Sequence, residues 1–125
     1  MAQRNGLILS ASKLIGFAAT ARPEESKRFY EEVLGLSLIE DAPRAMVFDA
    51  NGTTLRIQKM KSVTPPAYTV LGWEVPDIRS VVRRLSDEGV SFALDYGSTQ
   101  DGLGTVAWFK DPDENTLYVA QTSAR

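Results

Sequence analysis

The feature that most constrains this chain is an internal repeat. The strings Gly35-Leu36-Ser37-Leu38 and Gly89-Val90-Ser91-Phe92 each follow a stretch whose apolar residues have helical spacing. A short apolar run precedes each of these helices, and two more strand-like runs follow each string. Both halves therefore have the order βαβββ and meet near Pro65-Pro66. A sheet covered by a helix on one face leaves its other face open, so two such halves are able to enclose a cleft.

The first half predicts one helix between a buried strand and three further strands. The run 14–20 is short and apolar, and Pro23 suits the first position of a helix that ends at Gly35. The helical stripe consists of Ser26, Phe29, Tyr30, Val33 and Leu34. Strands are predicted at 36–40, 45–50 and 53–60. Asn51-Gly52 favours a two-residue hairpin turn between the last two strands.

The second half predicts the same order of elements. A strand at 68–75 precedes Asp77, which is a good helix N-cap, and the helix ends at Gly89. Its stripe consists of Ile78, Val81, Val82 and Leu85. Strands at 105–109 and 116–121 are joined by an Asp-Pro-Asp-Glu-Asn turn. The glycine-rich segment 97–104 is either a surface connection or a lid.

Length and charge limit the class of protein. We predict a flexible leader at 1–13 and one α+β domain at 14–125, with repeat one at 14–64 and repeat two at 65–121, forming a curved mixed sheet around a cleft. The 14 basic and 16 acidic residues give a formal net charge of −2 without a basic stripe, which argues against nucleic acid as a partner. No apolar run approaches the roughly 20 residues of a membrane helix. We expect a soluble, cytoplasmic protein.

The chain has no cysteine and no histidine. Disulfides, thiolate nucleophiles and cysteine-based zinc sites are therefore excluded. The commonest metal ligand and the commonest general base are also missing, since both roles belong to histidine. Any catalysis would depend on carboxylates, Tyr, Lys, Ser or Thr, or on a bound cofactor.

Two local strings resemble the vicinal oxygen chelate superfamily, which includes glyoxalase I, extradiol dioxygenases, fosfomycin-resistance enzymes and bleomycin-resistance proteins. One is Phe29-Tyr30 followed by Val33-Leu34-Gly35-Leu36, and the other is Asp111-Pro112-Asp113 with Asn115. The resemblance covers residues 14–121 and implies the glyoxalase/bleomycin-resistance-like fold. Edge strands and a half-exposed sheet also favour a homodimer.

The resemblance implies a site in which the first and last strands of each repeat hold a divalent metal. The matching positions in this sequence carry Ile15, Arg56, Val70 and Tyr118. Two aliphatic side chains, a permanent cation and a phenol are not ligands for a hard divalent ion. We therefore expect no metal and no other cofactor. Glu114 stands where the family usually has glycine, so we expect a less relaxed turn there.

Strand alternation predicts which side chains face the cleft of the resembling family. On the first sheet, the hairpin turn places Val47 opposite Arg56 and Asp49 opposite Thr54. The predicted cleft-facing residues are Ile15, Phe17, Ala19, Thr54, Arg56, Gln58, Val70, Gly72, Glu74, Trp108, Thr116, Tyr118 and Ala120. The opposite face is predicted to pack under the helices.

Five of these residues are candidates for binding a ligand, and each also has a structural explanation. Arg56 offers a forked donor to a carboxylate, phosphate or planar polar group, or it forms an ion pair with Asp49 or Glu74. Glu74 accepts a proton or binds a cation, or it faces water. Tyr118 donates a hydrogen bond or fills the cavity. Trp108 and Phe17 stack on a flat ligand or belong to the core.

Three functions remain open at this point. The first is a metal-free protein that binds a small, possibly aromatic organic molecule, similar to bleomycin-resistance proteins. The second is an enzyme, either a lyase or dioxygenase with a divergent metal site or an isomerase with Glu74 as its base. Its candidate carboxylates are Glu40, Asp41, Asp49 and Glu74. The third is a structural or regulatory module whose cleft is filled by its own side chains.

Overall fold

The computed structural model describes residues 8–93 and 104–122. Within these ranges lie seven strands and two helices. The strands are β1 (Ile15–Thr20), β2 (Ser37–Asp41), β3 (Ala45–Ala50), β4 (Thr53–Lys59), β5 (Thr69–Glu74), β6 (Gly104–Lys110) and β7 (Thr116–Thr122). The helices are α1 (Pro23–Arg28) and α2 (Ile78–Asp87). Residues 1–7 of the predicted leader and residues 97–103 of the predicted lid lie outside the described ranges.

The strands form two mixed sheets with corresponding strand orders. The first sheet has the order β1-β4-β3-β2, and the second has the order β5-β7-β6. The first strand of each half pairs in parallel with the last strand of that half, and the other pairs are antiparallel. The α+β architecture built from two βαβββ-like modules is therefore confirmed.

The second module differs from the prediction after α2. Residues 90–93, which follow the helix where the repeat predicts a strand, are irregular chain. The Ala93 N–H nevertheless donates a hydrogen bond to the Trp108 carbonyl over 2.8 Å, which places this segment beside β6. The rest of the predicted strand lies outside the described ranges.

Both helices begin where the sequence predicts, but α1 ends at Arg28 and α2 at Asp87, before the predicted stops at Gly35 and Gly89. Pro23 occupies the first turn of α1, and the Asp77 side chain caps α2 by accepting from the Ser80 N–H over 3.3 Å. After Arg28 the first helix continues as a π-helical turn, Phe29–Val33, in which the Leu34 N–H donates to the Phe29 carbonyl. The sequence analysis did not predict this turn. No helix among the described residues is long and apolar enough to cross a membrane.

One hydrophobic core extends through both modules. Tyr30, Met46, Phe48 and Ile57 from the first module share it with Phe109 and other residues of the second. The prediction for the helix-facing side of the sheets is confirmed. Its residues all belong to this core or pack against it: Ala18, Met46, Phe48, Leu55, Ile57, Leu71, Trp73, Val75, Phe109, Leu117 and Val119.

A buried turn between β6 and β7 ties the second module to the first. Asp113 accepts hydrogen bonds from the Thr20 hydroxyl and, over 2.8 Å, from the Ala21 N–H. Asp111 accepts from the Tyr30 hydroxyl over 2.6 Å. These buried carboxylates fix the relative position of the two modules, because each is hydrogen-bonded to the other half of the chain.

The same turn affects the chemistry of Tyr30 and the backbone of Glu114. Burial, reinforced by the charge of Asp111 and the hydrogen bond to it, raises the pKa of the Tyr30 phenol well above its ordinary value. Glu114 has φ of +68°, in the left-handed region that disfavours residues with a Cβ. The expectation of a less relaxed turn at Glu114 is therefore confirmed.

Candidate functional site

The matching strand registers place one row of outward-facing residues across each sheet. The first row consists of Phe17, Arg56 and Val47, and the second row consists of Gly72, Tyr118 and Trp108. Arg56 and Tyr118 occupy equivalent positions in the two modules, since each lies in the last strand between its two neighbours. The predicted pairing of Val47 with Arg56 and of Asp49 with Thr54 is confirmed.

The second row has a large ring packed directly over a glycine. A Cβ added to Gly72 would lie 2.1 Å from Cε1 and 2.5 Å from Cδ1 of Tyr118. The Tyr118 ring therefore occupies the space that any other side chain at position 72 would need. On its other side, the Tyr118 and Trp108 ring centroids are 6.0 Å apart with their planes at 55°. This geometry is a favourable tilted aromatic pair.

A cavity lies beside this aromatic pair. The Trp108 indole N–H donates to the Thr69 hydroxyl over 3.2 Å, which fixes the orientation of the indole ring. The cavity has a volume of about 570 Å³ and is lined by Thr69, Val70, Leu71, Gly72, Trp73, Glu74, Tyr118 and Ala120. This volume is within the range of sites for small organic molecules. Side chains therefore do not fill this face of the second sheet completely.

The first row presents a cation beside an exposed aromatic ring. Phe17 is 51% exposed, and Arg56 beside it is half-buried. No salt bridge or hydrogen bond joins the Arg56 guanidinium to Asp49, Glu74 or any other residue within 8–93 and 104–122. The Asp49 carboxylate instead accepts from the Gly52 N–H over 3.1 Å, in the turn that begins at Asn51. The alternative of an ion pair between Arg56 and Asp49 or Glu74 is therefore wrong.

The structure brings the five predicted site residues together as two groups. Glu74 and Tyr118 line the cavity, and Trp108 contacts Tyr118. Phe17 and Arg56 are neighbours on the first sheet. The sheets approach each other where Gly16 of β1 lies near Leu71 of β5: a Cβ added to Gly16 would be 3.9 Å from the Leu71 side chain. Between the described residues of the two rows there is no ring contact.

Sequence reasoning missed the supporting role of two residues. Thr69 orients Trp108, and Gly72 makes room for Tyr118. An isolated glycine inside a strand pattern often marks a close approach, so Gly72 carried a usable signal. A threonine at the start of a strand carries no comparable signal, because threonine is common throughout strands.

At the four positions where the resemblance implies metal ligands, the side chains do not suit a hard divalent ion. Arg56 and Tyr118 lie at equivalent places, but one is a permanent cation and the other a phenol. Ile15 and Val70 are aliphatic and have no donor atom. Among residues 8–93 and 104–122, no group of three or more Asp, Glu, His or Cys side chains could hold a metal ion.

A second, larger cavity lies on the solvent side of the first helix. Its volume is about 660 Å³, and it is lined by Glu24, Glu25, Lys27, Arg28, Phe29, Glu31, Glu32, Val33, Glu88 and Pro112. Most of these side chains are charged, and the ion pair between Arg28 and Glu32 is exposed to solvent at 3.6 Å. Such pairs contribute little and are typical of a solvated surface. The cavity beside Tyr118 is therefore the better candidate site.

The carboxylate Asp41 is already engaged. The Lys59 ammonium lies 2.6 Å from one of its oxygens, and the Lys27 ammonium lies 3.5 Å from the other. The hydrogen bond from Lys59 lowers the pKa of the Asp41 carboxyl, with smaller contributions from the charges of both lysines. Asp41 is therefore unsuited to accept a proton near neutral pH, and Glu74 remains the one candidate base that lines the cavity.

Comparisons with known proteins agree with the fold. The model of the Glyoxalase/Bleomycin resistance protein/Dioxygenase superfamily matches residues 15–119. The comparison with curated proteins gives no match. An antibiotic-binding protein, TnmS3 from Streptomyces sp. CB03234, is 24% identical with a TM-score of 0.78, and the match covers 93% of this chain and 99% of that one.

Two other solved structures extend the comparison. A glyoxalase/bleomycin resistance protein from Streptomyces sp. CB03234 is 26% identical with a TM-score of 0.70, over 88% of this chain and 100% of that one. The fosfomycin resistance protein FosX from Listeria monocytogenes is 15% identical with a TM-score of 0.77, over 93% of this chain and 94% of that one. Proteins described as antibiotic-binding and as fosfomycin-resistance proteins thus share this fold, so function has to be argued from the site.

Proposed function

We propose that this chain, which belongs to the glyoxalase/bleomycin resistance protein/dioxygenase superfamily, is a small-molecule binding protein that works without the family's metal. The observation that carries the proposal is the second row, where Tyr118 packs over Gly72 beside Trp108 and a cavity of about 570 Å³ adjoins it. The description of TnmS3 as an antibiotic-binding protein supports the same class of function.

The lining favours a flat, partly aromatic organic ligand. Tyr118 lines the cavity and Trp108 packs against Tyr118, and an aromatic ligand that pairs with such rings gains about 0.5–1.5 kcal/mol per aromatic pair beyond buried area. The Tyr118 hydroxyl adds a hydrogen-bonding group, and Glu74 adds a carboxylate at the end of β5. Phe17 and Arg56 supply a second ring and a cation on the neighbouring sheet.

We also propose that the protein acts as a cytoplasmic homodimer. Ile15, the first residue of the edge strand β1, is 48% exposed, and Leu14 just before it is 76% exposed, so apolar surface lies uncovered at this edge. A second copy is the simplest cover for this surface, since most small oligomers are symmetric dimers. Sedimentation at micromolar concentration would show a dimer, and a stable monomer would contradict this part of the proposal.

A thermal-shift screen with flat aromatic compounds tests the binding role. At least one compound is expected to raise the melting temperature of the wild-type protein, because a ligand that binds only the folded state stabilises it. Trp108→Leu should weaken this shift strongly. Tyr118→Phe is the matched variant, since it keeps the ring and removes only the hydroxyl. A wild-type protein that no member of a broad library stabilises would contradict the proposal.

A second candidate is a metal-free isomerase with Glu74 as its base, because Glu74 lines the same cavity. A carboxylate beside a bound substrate is able to move a proton between two carbon atoms. Glu74→Gln should then abolish turnover while ligand binding persists. If the wild-type protein shows no turnover and Glu74→Gln loses ligand binding, Glu74 serves binding alone and the isomerase is ruled out.

A further inference from the structure

Arg56 has an unusual electrostatic environment for a half-buried cation. It lies in the middle of β4, between Phe17 of β1 and Val47 of β3. Its neighbours along the same face of β4 are Thr54 and Gln58, which are uncharged. Within the described residues the guanidinium has no carboxylate partner.

Two carboxylates on the same sheet, those of Asp49 and Glu40, do not pair with Arg56. Asp49 lies across the hairpin from Thr54, and its carboxylate accepts from the backbone of the turn. Glu40 lies on β2 on the far side of Val47 from Arg56 and is exposed. Among the residues that the structure describes, no side chain neutralises this positive charge on the first sheet.

A half-buried guanidinium in this environment is suited to a ligand that carries a carboxylate. A half-buried charge is disfavoured unless it is paired, so a ligand that brings a negative charge gains from an interaction the free protein lacks. The planar fork of N–H donors matches the two oxygens of a carboxylate. The exposed Phe17 ring directly beside it offers an apolar surface for a flat group attached to that carboxylate.

We infer that the first row is a subsite for an aromatic carboxylate, whose two oxygens accept hydrogen bonds from Arg56 and whose ring packs against Phe17. This inference rests on the proposed binding function and adds the charge of the ligand to it. The resemblance implies a metal ligand at this position of the fold, whereas here a fixed cation stands in its place. Where the resemblance implies a side chain that binds a metal cation, Arg56 therefore favours an anionic ligand.

Calorimetric titration of the full-length protein with 1-naphthoate and with 1-naphthamide tests the inference. The two compounds have the same ring and nearly the same shape, and they differ in charge. Naphthoate should bind about tenfold or more tightly than naphthamide, as expected for hydrogen bonds between charged partners. Arg56→Gln should remove this preference. Arg56→Lys keeps the positive charge but loses the two parallel N–H donors of the guanidinium, so it should retain only part of the preference for naphthoate.

A control variant separates the site from the overall charge of the protein. Arg28→Gln changes the net charge by the same amount at a solvent-exposed position on α1, and naphthoate binding should stay unchanged. Arg56→Gln should melt at the wild-type temperature or higher, since the guanidinium has no partner among residues 8–93 and 104–122 that the substitution would remove. If it does not fold, the comparison of Arg56→Lys with the wild type still decides the outcome.

The outcomes distinguish this inference from the proposed function. Equal affinity for the two compounds, or an Arg56→Gln variant that keeps the preference, would overturn the inference and leave the binding role intact. Inorganic phosphate that binds as tightly as naphthoate would show a bare anion site and overturn the aromatic part. If neither naphthyl compound binds, the inference is wrong, and the thermal-shift screen then decides whether the binding role is wrong too.

Discussion

The first and second rows have the same backbone geometry and opposite chemistry. In each, the central residue of the last strand lies between the first strand and the preceding hairpin strand. At the centre of the first row, Arg56 lies beside an exposed Phe17 and has no salt bridge within the described part of the chain. At the centre of the second row Tyr118 packs over Gly72 and against Trp108.

This difference shows how a repeated scaffold produces an asymmetric site. The core-facing residues of both sheets are apolar, so both modules keep the same packing against the core. The outward positions are free of that constraint, and they carry the residues that differ. We therefore place specificity in the outward rows and stability in the core and the buried turn.

Breaking the buried turn that joins the modules should have the largest effect. Asp111 accepts hydrogen bonds from the Tyr30 hydroxyl, from the Asn115 amide and from the backbone of Asp113. Asp111→Ala leaves these buried donors without an acceptor and should lower the free energy of unfolding by about 4 kcal/mol. Urea unfolding measures the change.

Asp49→Ala is the matched variant in the turn of the first module. Its exposed carboxylate accepts from the Gly52 N–H alone among the described hydrogen bonds, so the loss should be about 0.5 kcal/mol. Equal losses for the two aspartates would contradict the view that only the second turn joins the modules.

Gly72→Ala tests the packing of the second row. The added Cβ would overlap the Tyr118 ring, so the ring has to leave its place, and the free energy of unfolding should fall by about 2 kcal/mol. The same variant should lose affinity for any ligand of the cavity. Gly16→Ala on β1 is the control, because its added Cβ meets nothing nearer than 3.8 Å. A Gly72→Ala protein as stable as the control would disprove the close packing.

Tyr30→Phe tests the buried turn through the pH dependence of the free energy of unfolding. Removing the hydroxyl should lower the free energy of unfolding by about 1.5 kcal/mol at pH 7, since a hydrogen bond to a carboxylate is lost. Above the ordinary tyrosine pKa of 10.0 the unfolded chain loses the phenol proton that the folded protein retains. The stability of the wild type should therefore fall with rising pH above this value.

The variant lacks this ionisation, so its unfolding free energy should fall less steeply over the same range. Urea unfolding of both proteins at pH 7, 9, 10 and 11 makes the comparison. Parallel curves for the two proteins would contradict the raised pKa of Tyr30.

Glu114→Gly compares the two hairpin turns and should have the smallest effect. Glu114 has φ of +68°, so glycine should relieve strain and raise the free energy of unfolding by about 0.5–1 kcal/mol. Asn51, with φ of +52°, is the counterpart in the first module. Asn51→Gly should change stability by only about 0.3 kcal/mol, because asparagine tolerates this conformation. Thermal unfolding that shows no gain for Glu114→Gly would contradict the strain.

Most of the fold could be predicted from local sequence signals. Asn51-Gly52 specified the hairpin register because both residues tolerate positive φ, and strand alternation then specified the core face. Pro23 and Asp77 marked the helix starts. The π-helical turn at Phe29–Val33 was not predicted, since one extra residue per turn leaves the apolar stripe nearly unchanged.

Less of the candidate site could be predicted. The outward positions of Arg56 and Tyr118 followed from strand alternation. Whether Arg56 forms an ion pair with Asp49 or binds a ligand was left open, because it depends on side-chain directions that spacing does not determine; the Asp49 carboxylate accepts from the Gly52 N–H instead. The hydrogen bond between Trp108 and Thr69 joins residues far apart in the sequence, so no local pattern indicated it.

An NMR titration of the two tryptophan indole N–H signals tests the central claim most directly. Trp108 contacts Tyr118 in the second row, and Trp73 packs against the core and also lines the cavity. An aromatic compound that stabilises the protein should shift the Trp108 signal strongly and saturably, and any shift of the Trp73 signal should have the same midpoint, because both residues lie at the cavity. A stabilising compound that leaves Trp108 unchanged would contradict the assignment of the second row as the binding site.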